Sequence, residues 1–380
     1  MHAVGIIGGG QLAAMTAPFA KQFGVEFVVQ TPNFDDPAAP LGTDVVLGAI
    51  ADLAATDKLS DRVQVITFEN EFIDLAGLQQ LADRGVCFRP SLAALAPLLD
   101  KYDQRCYLQK IGLPVPSFGL LNPETVGAIA TQFGFPVVLK ARRHGYDGRG
   151  TFIVESETEM QQLWQNLGQP ELLVEKFIPF ERELAVMAAR SVKGEMVVYP
   201  VVETQQQEQV CRRVIAPANV SAIVVQQTQT AAETLLNALD VVGIFGIELF
   251  LTQDGQILVN EIAPRTHNSG HYTLDACNVS QFEMHLRAVM GQPLPQPKLQ
   301  CSGAVMVNLL GYEDSTSDYA EVRAAIAARP QTFVHWYNKT AARPGRKLGH
   351  ATTLLTSKNQ AETEAIAAQI ETLWYGQTSN

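Results

Sequence analysis

Two acidic residues that could do chemistry stand in one predicted hairpin, GIELFLTQDGQILVNEIAPR. An Asp254-Gly255 pair between alternating apolar runs favours a two-residue turn. That turn pairs Gln253 with Gln256 and Leu251 with Leu258, and it brings Glu248 opposite Glu261. Directly opposed residues share a face with β-carbons about 5 Å apart, where like charges repel. A sheet open to water would tolerate the pair. Both acids, however, lie in apolar surroundings where an unpaired carboxylate is costly. A divalent cation between them removes the conflict. Magnesium is the expected ion, because it takes a few carboxylate oxygens and shares the rest of its shell with phosphates.

Other groups point the same way. Lys140 ends the apolar run FPVVLK, and Glu175 stands near the end of ELLVEKFI. A strand-end lysine for phosphate and a strand-end acid for a ribose hydroxyl suit a nucleotide cleft, although either alone reads equally as a solvated end. ARRHGYDGRG, residues 141–150, follows Lys140 directly. Gly145, Gly148 and Gly150 let backbone amides fold over an anion. Arg142, Arg143 and Arg149 add charge, and Tyr146 and Asp147 lie in the middle. A disordered basic loop accounts for the glycines alone. A mobile lid over ATP phosphates, with Tyr146 and Asp147 reaching a second substrate, accounts for its placement too.

GIIGGGQLAAM reads as a strand, then Gly8-x-Gly10-x-x-Ala13, then a helix, which offers amides at a helix N-terminus to a phosphate. A nicotinamide site expects an acid at the end of the next strand. VEFVVQ ends in Gln30, with Asp35 and Asp36 further on. A phosphate of a smaller ligand is therefore expected at this turn, with a purely structural turn as the alternative. APRTHNSGH places Arg265, His267, Asn268, Ser269 and His271 just after Glu261. Zinc on the two histidines would need a helix, which Pro264 and Gly270 oppose. RPGRKLGH, residues 343–350, gathers Arg343, Arg346 and Lys347 around a glycine turn, as either a phosphate-binding corner or a solvated loop.

The elements that must carry these groups begin with alternating strands and helices: AVGIIG, GQLAAMTAPFAKQFG, VEFVVQ and QVITFE. That rhythm predicts a parallel sheet with helices on its faces. DKYDQRCYLQKIG predicts a helix, and GLPVPSFG a boundary. Strands FPVVLK, ELLVEKFI, ELAVMAARS and MVVYPVV follow, then the helix AAETLLNALDVVG and the acidic hairpin. GQPLPQPK, residues 291–298, reads as a linker to a smaller C-terminal segment. At 380 residues, two or three domains are expected. The net charge of −11 argues against nucleic acid or an acidic membrane as partner. Five cysteines without a CxxC pair suit a reduced, cytoplasmic protein. Neither a signal peptide nor an apolar run of membrane-spanning length is expected.

The lysine strand, GYDGRG loop, Glu175 and the Glu248 with Asn260-Glu261 pair together resemble the ATP-grasp superfamily. The strings GGGQLAAM, TFENE, GYDGRG, NEIAPRTHNSGH and RPGRKLGH resemble the N5-carboxyaminoimidazole ribonucleotide synthetases within it, over roughly residues 3–350. The resemblance implies an α/β fold in three parts. These are a Rossmann-like preATP-grasp domain over 1–98, an ATP-grasp domain over 99–292 with a lid subdomain at about 115–180, and a small C-terminal domain over 298–380. It implies a cytoplasmic homodimer that joins bicarbonate to 5-aminoimidazole ribonucleotide with ATP and magnesium, through carboxyphosphate, in purine biosynthesis.

By the same resemblance, Glu175, Lys176, Phe177, Ile178 and Glu183 would hold adenine and ribose. Lys101 and Lys140 would face the phosphates under a lid of Gly145, Tyr146, Asp147, Gly148, Arg149, Gly150 and Thr151. Glu248 and Glu261 would hold magnesium, assisted by Asn260, which strict alternation points to the other face and which therefore requires a local distortion. Tyr146, Asp147, Arg265, His267 and Lys347 would serve bicarbonate and the aminoimidazole, with Asp147 managing the amine proton. Glu69, Asn268 and Ser269 would help to hold the substrate nucleotide, whose phosphate would sit on Gly10, Gln11 and Leu12 beside Arg346. Many relatives carry an Asn and a His where this chain reads TQQQEQ, which puts Gln206 near the histidine's place. The competing expectation is another ATP-grasp ligase, such as the formate-using glycinamide ribonucleotide transformylase, which should lack the NSGH and RPGRK strings.

Overall fold

The computed structural model describes residues 3–143, 150–357 and 359–376. The first strands form a parallel sheet in the order Asp44–Leu47, Glu26–Thr31, Ala3–Ile7, Val65–Phe68. Helix Gln11–Gln22 covers it with a stripe of small residues, Ala13, Ala17 and Ala20. The same stripe meets Leu286 and Val289 of the helix Gln281–Met290. That distant helix therefore joins the first sheet to the rest, and its buried His285 Nε2 lies 2.8 Å from Thr67 Oγ1.

A four-stranded antiparallel sheet follows: Phe118–Leu121, Leu172–Lys176, Val137–Ala141, Thr151–Val154. Met160 and Trp164 of helix Glu157–Asn166 close its apolar face. The third sheet is antiparallel and has nine strands. Its centre is the long strand Phe180–Arg190, flanked by Gly243–Thr252 and Val202–Gln207. Leu184, Val186, Ile247 and Leu249 face the helix Ala222–Ala238. Alternation then turns Glu183, Glu248 and Phe250 to the opposite face. The stretch 291–298 contains neither helix nor strand. Beyond it, Gly303–Leu310 pairs with Val210–Ala216, so the C-terminal segment extends the same sheet. No helix among the described residues is long and apolar enough to cross a membrane.

Three expectations differ from what is found. The helix expected from Ala231 begins at Ala222, where Ser221 Oγ accepts from Val224 N at 3.3 Å; the β-branched run IVV hid its first turns. MVVYPVV is interrupted after Met196–Val198, because Pro200 has no N–H for the ladder. TQQQEQVCRRVIA, in which no strand is expected, forms a hairpin. Its turn, Glu208-Gln209, has φ of 52° and 63°, both left-handed as a type I′ turn requires.

Candidate active site

The acidic hairpin sets the geometry. Glu248 does pair with Glu261, but by a different route from the one expected. Thr252 N donates to Gln256 O at 2.9 Å, so the loop has three residues, 253–255, and Gly255 takes φ +80°. Phe250 then pairs with Leu258, and Leu251 with Ile257. This corrects the expected Gln253–Gln256 and Leu251–Leu258 pairs. The register shifts back between Leu249 and Glu248, where Leu249 faces Val259 and Asn260 is the extra residue. Asn260 is thus the bulged residue, and its side chain turns toward the cleft. Lys140 Nζ donates to its Oδ1 at 3.0 Å.

Lys140 also pairs with Glu175, Nζ to Oε2 2.6 Å, and Arg105 closes on the other oxygen of Glu175. Arg105 and Glu175 are each 2% exposed. Burial opposes the charge on Glu175, but Lys140 and Arg105 outweigh it and hold its carboxyl at about 2. Each oxygen of Glu175 thus already carries one cation, Arg105 on Oε1 and Lys140 on Oε2. The neighbouring Glu183 is half-buried on the cleft face. Burial pushes its carboxyl up to about 7, against the charge of Lys140 and a hydrogen bond from Gln206. Gln206 thus meets Glu183 from the hairpin that departs from the family pattern.

The facing acids are strongly unlike. Burial and the charges of Glu261 and Glu183 push Glu248 up to about 7. Glu261 is held at about 2 against desolvation, chiefly by Lys101, whose Nζ lies 2.7 Å away. Glu248 Oε1 lies 3.5 Å from His267 Nε2. His267 is itself depressed to about 3 by burial and by the charges of Arg265 and Lys347, so the contact is with a neutral imidazole. Its Nδ1 lies 2.9 Å from Ser269 Oγ. Gly246 permits this approach, because a Cβ there would meet His267 Cβ at 2.5 Å.

Arg265 is held in a two-point pair by Glu71, Nε to Oε2 2.6 Å and Nη2 to Oε1 3.1 Å. Asn268 exchanges two amide hydrogen bonds with Asn308, at 2.9 and 2.7 Å, in a buried pair. Arg346 Nη1 donates to Ala341 O at 2.6 Å. The glycine turn differs from expectation. Glu69 accepts from Gly10 N at 2.6 Å and Leu12 N at 3.0 Å, so a carboxylate stands where a phosphate was expected. A helix N-terminus attracts any anion, and burial presses Glu69 onto these amides while raising its pKa. A Cβ on Gly10 would lie 2.5 Å from Glu69 Oε1.

Gly145, Tyr146, Asp147, Gly148 and Arg149 lie outside the described residues. Gly150 O accepts from Ala141 N at 2.7 Å, and Thr151 pairs with Lys140, so the loop starts and ends on adjacent strands. Two of its three arginines do not face an anion site: Arg142 and Arg143 bond Asp100, which is 3% exposed and caps the helix Lys101–Lys110. A cavity of about 500 Å³ adjoins Lys176, Phe177 and Ile178, with Val115, Ser117 and Leu258 on its other walls. Sequence reasoning missed Arg105, Glu71 and Asn308. Only Glu71 left a signal, as the last residue of TFENE.

Three family models match the chain. They are a ribonucleotide synthetase preATP-grasp domain over 1–97, an ATP-grasp domain over 106–282, and a phosphoribosylaminoimidazole carboxylase C-terminal domain over 304–364. N5-carboxyaminoimidazole ribonucleotide synthase of Synechococcus elongatus is 53% identical over 376 residues, covering 98% of this chain and 95% of the relative. The crystal structure of the synthetase from Thermotoga maritima superposes with TM-score 0.86 at 38% identity, covering 98% of each chain. The Aspergillus clavatus synthase, solved with ADP and 5-aminoimidazole ribonucleotide, gives 0.89 at 32% identity, again over 98% of each chain.

Proposed function

The chain belongs to the N5-carboxyaminoimidazole ribonucleotide synthase family, ATP-dependent ligases of purine biosynthesis, and on that premise we propose how its residues divide the carboxylation of 5-aminoimidazole ribonucleotide. The observation that carries this reading is the Glu248–Glu261 pair, set between Lys101 on one side and His267 on the other. These two carboxylates suit a hard divalent cation: they oppose each other on adjacent strands, and burial together with the charge of Glu261 raises the Glu248 carboxyl, a cost that a cation between them would relieve. Magnesium held there would neutralise phosphate oxygens of ATP.

Adenine lies against the backbone of Lys176, Phe177 and Ile178, and Glu183 with Gln206 holds the ribose. Lys140 and Lys101 face the phosphates, with the lid Gly145–Thr151 closing over them. An oxygen of bicarbonate attacks the γ-phosphorus, ADP leaves, and carboxyphosphate remains. The exocyclic amine of the aminoimidazole then attacks the carboxyl carbon. The carbon–oxygen bond to phosphate breaks, phosphate leaves with the bridging oxygen, and Asp147 takes the proton from nitrogen. Arg265 and Lys347 stabilise the anions that develop, while Tyr146 and neutral His267 orient bicarbonate. Ser269 keeps His267 in place, Asn268 does the same through Asn308, and Glu69 holds the Gly10 turn beside the substrate's ribose phosphate. The protein works as a cytoplasmic homodimer.

Bicarbonate labelled with oxygen-18 tests the sequence of steps. Phosphate formed in the presence of the aminoimidazole should carry one labelled oxygen. Unlabelled phosphate would mean that water, not bicarbonate, attacks ATP.

A further inference from the structure

Away from the glutamate pair, three metal-ligating side chains converge where the substrate loop meets the C-terminal strands. Asp275 lies in the short helix Thr273–Ala276, directly after the loop that carries His267. His335 and His350 face each other across the antiparallel strands Thr332–Trp336 and Lys347–Leu355. One carboxylate oxygen and one nitrogen from each imidazole all lie within 4.8 Å of one another. We propose that Asp275, His335 and His350 bind a divalent transition metal of the zinc class, at a site separate from Glu248 and Glu261.

The observation that asks for a ligand is His350. It is fully buried, and Tyr337 Oη engages its Nδ1 at 2.8 Å. Its Nε2 is buried with no hydrogen-bond partner. Leaving such a nitrogen unmatched is costly, whereas a metal bond to Nε2 would satisfy it while Nδ1–H donates to the tyrosine oxygen. A buried hydroxyl on the far nitrogen is the kind of outer partner that fixes a ligating histidine. His335 Nε2 lies 2.9 and 3.1 Å from the Asp275 oxygens. Ligands about 2.0 Å from a tetrahedral metal stand about 3.3 Å apart, so this edge of the site already has nearly the right span.

An ion pair between Asp275 and His335 accounts for those two residues but leaves His350 Nε2 unexplained. The His335 and His350 rings are stacked, 4.7 Å between centroids. Closing the site therefore requires one ring to turn, and His335, with 31% of its side chain exposed, has the room. Its exposure also leaves a fourth position to water. Two imidazoles and one carboxylate suit zinc or cobalt far better than magnesium. His271 stands beside the cluster, but Gln281 Nε2 holds its Nδ1 at 2.8 Å. A metal here would tie the strand that begins at Lys347 to the helix that follows the substrate loop.

The test uses the full chain, stripped with chelator and titrated with cobalt(II), without nucleotide. The expected result is one equivalent bound with visible bands of low-coordinate cobalt, displaced by zinc, and a melting temperature raised by either metal. Asp275→Asn and His335→Gln, the latter on an edge strand, should each weaken binding about tenfold or more while keeping the far-ultraviolet spectrum. Glu248→Gln should leave the bands intact. Three results would overturn the proposal: no bands at equimolar cobalt, bands unchanged in both variants, or an intense thiolate charge-transfer band, which would assign the metal to cysteine.

Discussion

Glu175 and Glu248 show how neighbours decide what a carboxylate does. Glu175 has two cations for company, and its carboxyl sits at about 2 rather than 4.5. Its stabilising contribution is complete above the unfolded value and is lost as pH falls from about 4.5 toward 2. Glu175→Ala leaves Arg105 and Lys140 buried without a counter-charge and should cost about 3–5 kcal/mol at pH 7. Urea unfolding at several pH values checks this, because the gap to the wild type should narrow as the acid limb is approached. Glu248 is the opposite case. Its carboxyl, pushed up to about 7, destabilises the folded chain at every pH above the unfolded value. Glu248→Gln should raise stability by about 1–3 kcal/mol and weaken magnesium binding about tenfold or more. Denaturation and magnesium titration on the same preparation read both effects; a variant that lost stability would show the acid to be structural.

At the scale of elements, the hairpin shows how far sequence reasoning reached. Glu248 was expected opposite Glu261, and it is, but only because two departures cancel. The loop is one residue longer than Asp-Gly suggested, and the bulge at Asn260 restores the register. Neither is visible in a pattern of period two, although the need for some distortion at Asn260 was. The bulge has a physical cause that comes from outside the hairpin: Lys140 holds the Asn260 side chain and Arg105 its carbonyl. Asn260→Ala should therefore cost about 1 kcal/mol and act on the ATP side, raising KM for ATP more than KM for the aminoimidazole. Equal effects on both would mean that the bulge, not the amide, is what matters. The glycine turn was legible as an anion site, but not the identity of its anion. Glu69 reaches Gly10 from 59 residues away.

At the scale of the whole molecule, the parallel sheet and the strands carrying Lys140 and Glu175 were legible, because each is a local pattern of apolar spacing and turn residues. Arg105 was not. Within DKYDQRCYLQK it is one more charge on a helix, and its partners come from 70 and 155 residues away. Likewise, nothing local distinguishes His335 from a solvated strand residue until His350 and Asp275 are placed beside it. The strands of the C-terminal segment continue the central sheet through Val210–Ala216, a pairing between distant strands that no local pattern displays. That continuity brings Lys347 near enough for its charge to act on Glu248 and His267.

The most direct measurement is ADP release by the purified chain with ATP and magnesium at fixed bicarbonate, with and without 5-aminoimidazole ribonucleotide. The aminoimidazole should stimulate turnover, and Asp147→Ala and Lys347→Ala should abolish the stimulation while ATP still binds. Turnover indifferent to the aminoimidazole, and raised instead by formate with glycinamide ribonucleotide, would contradict the account.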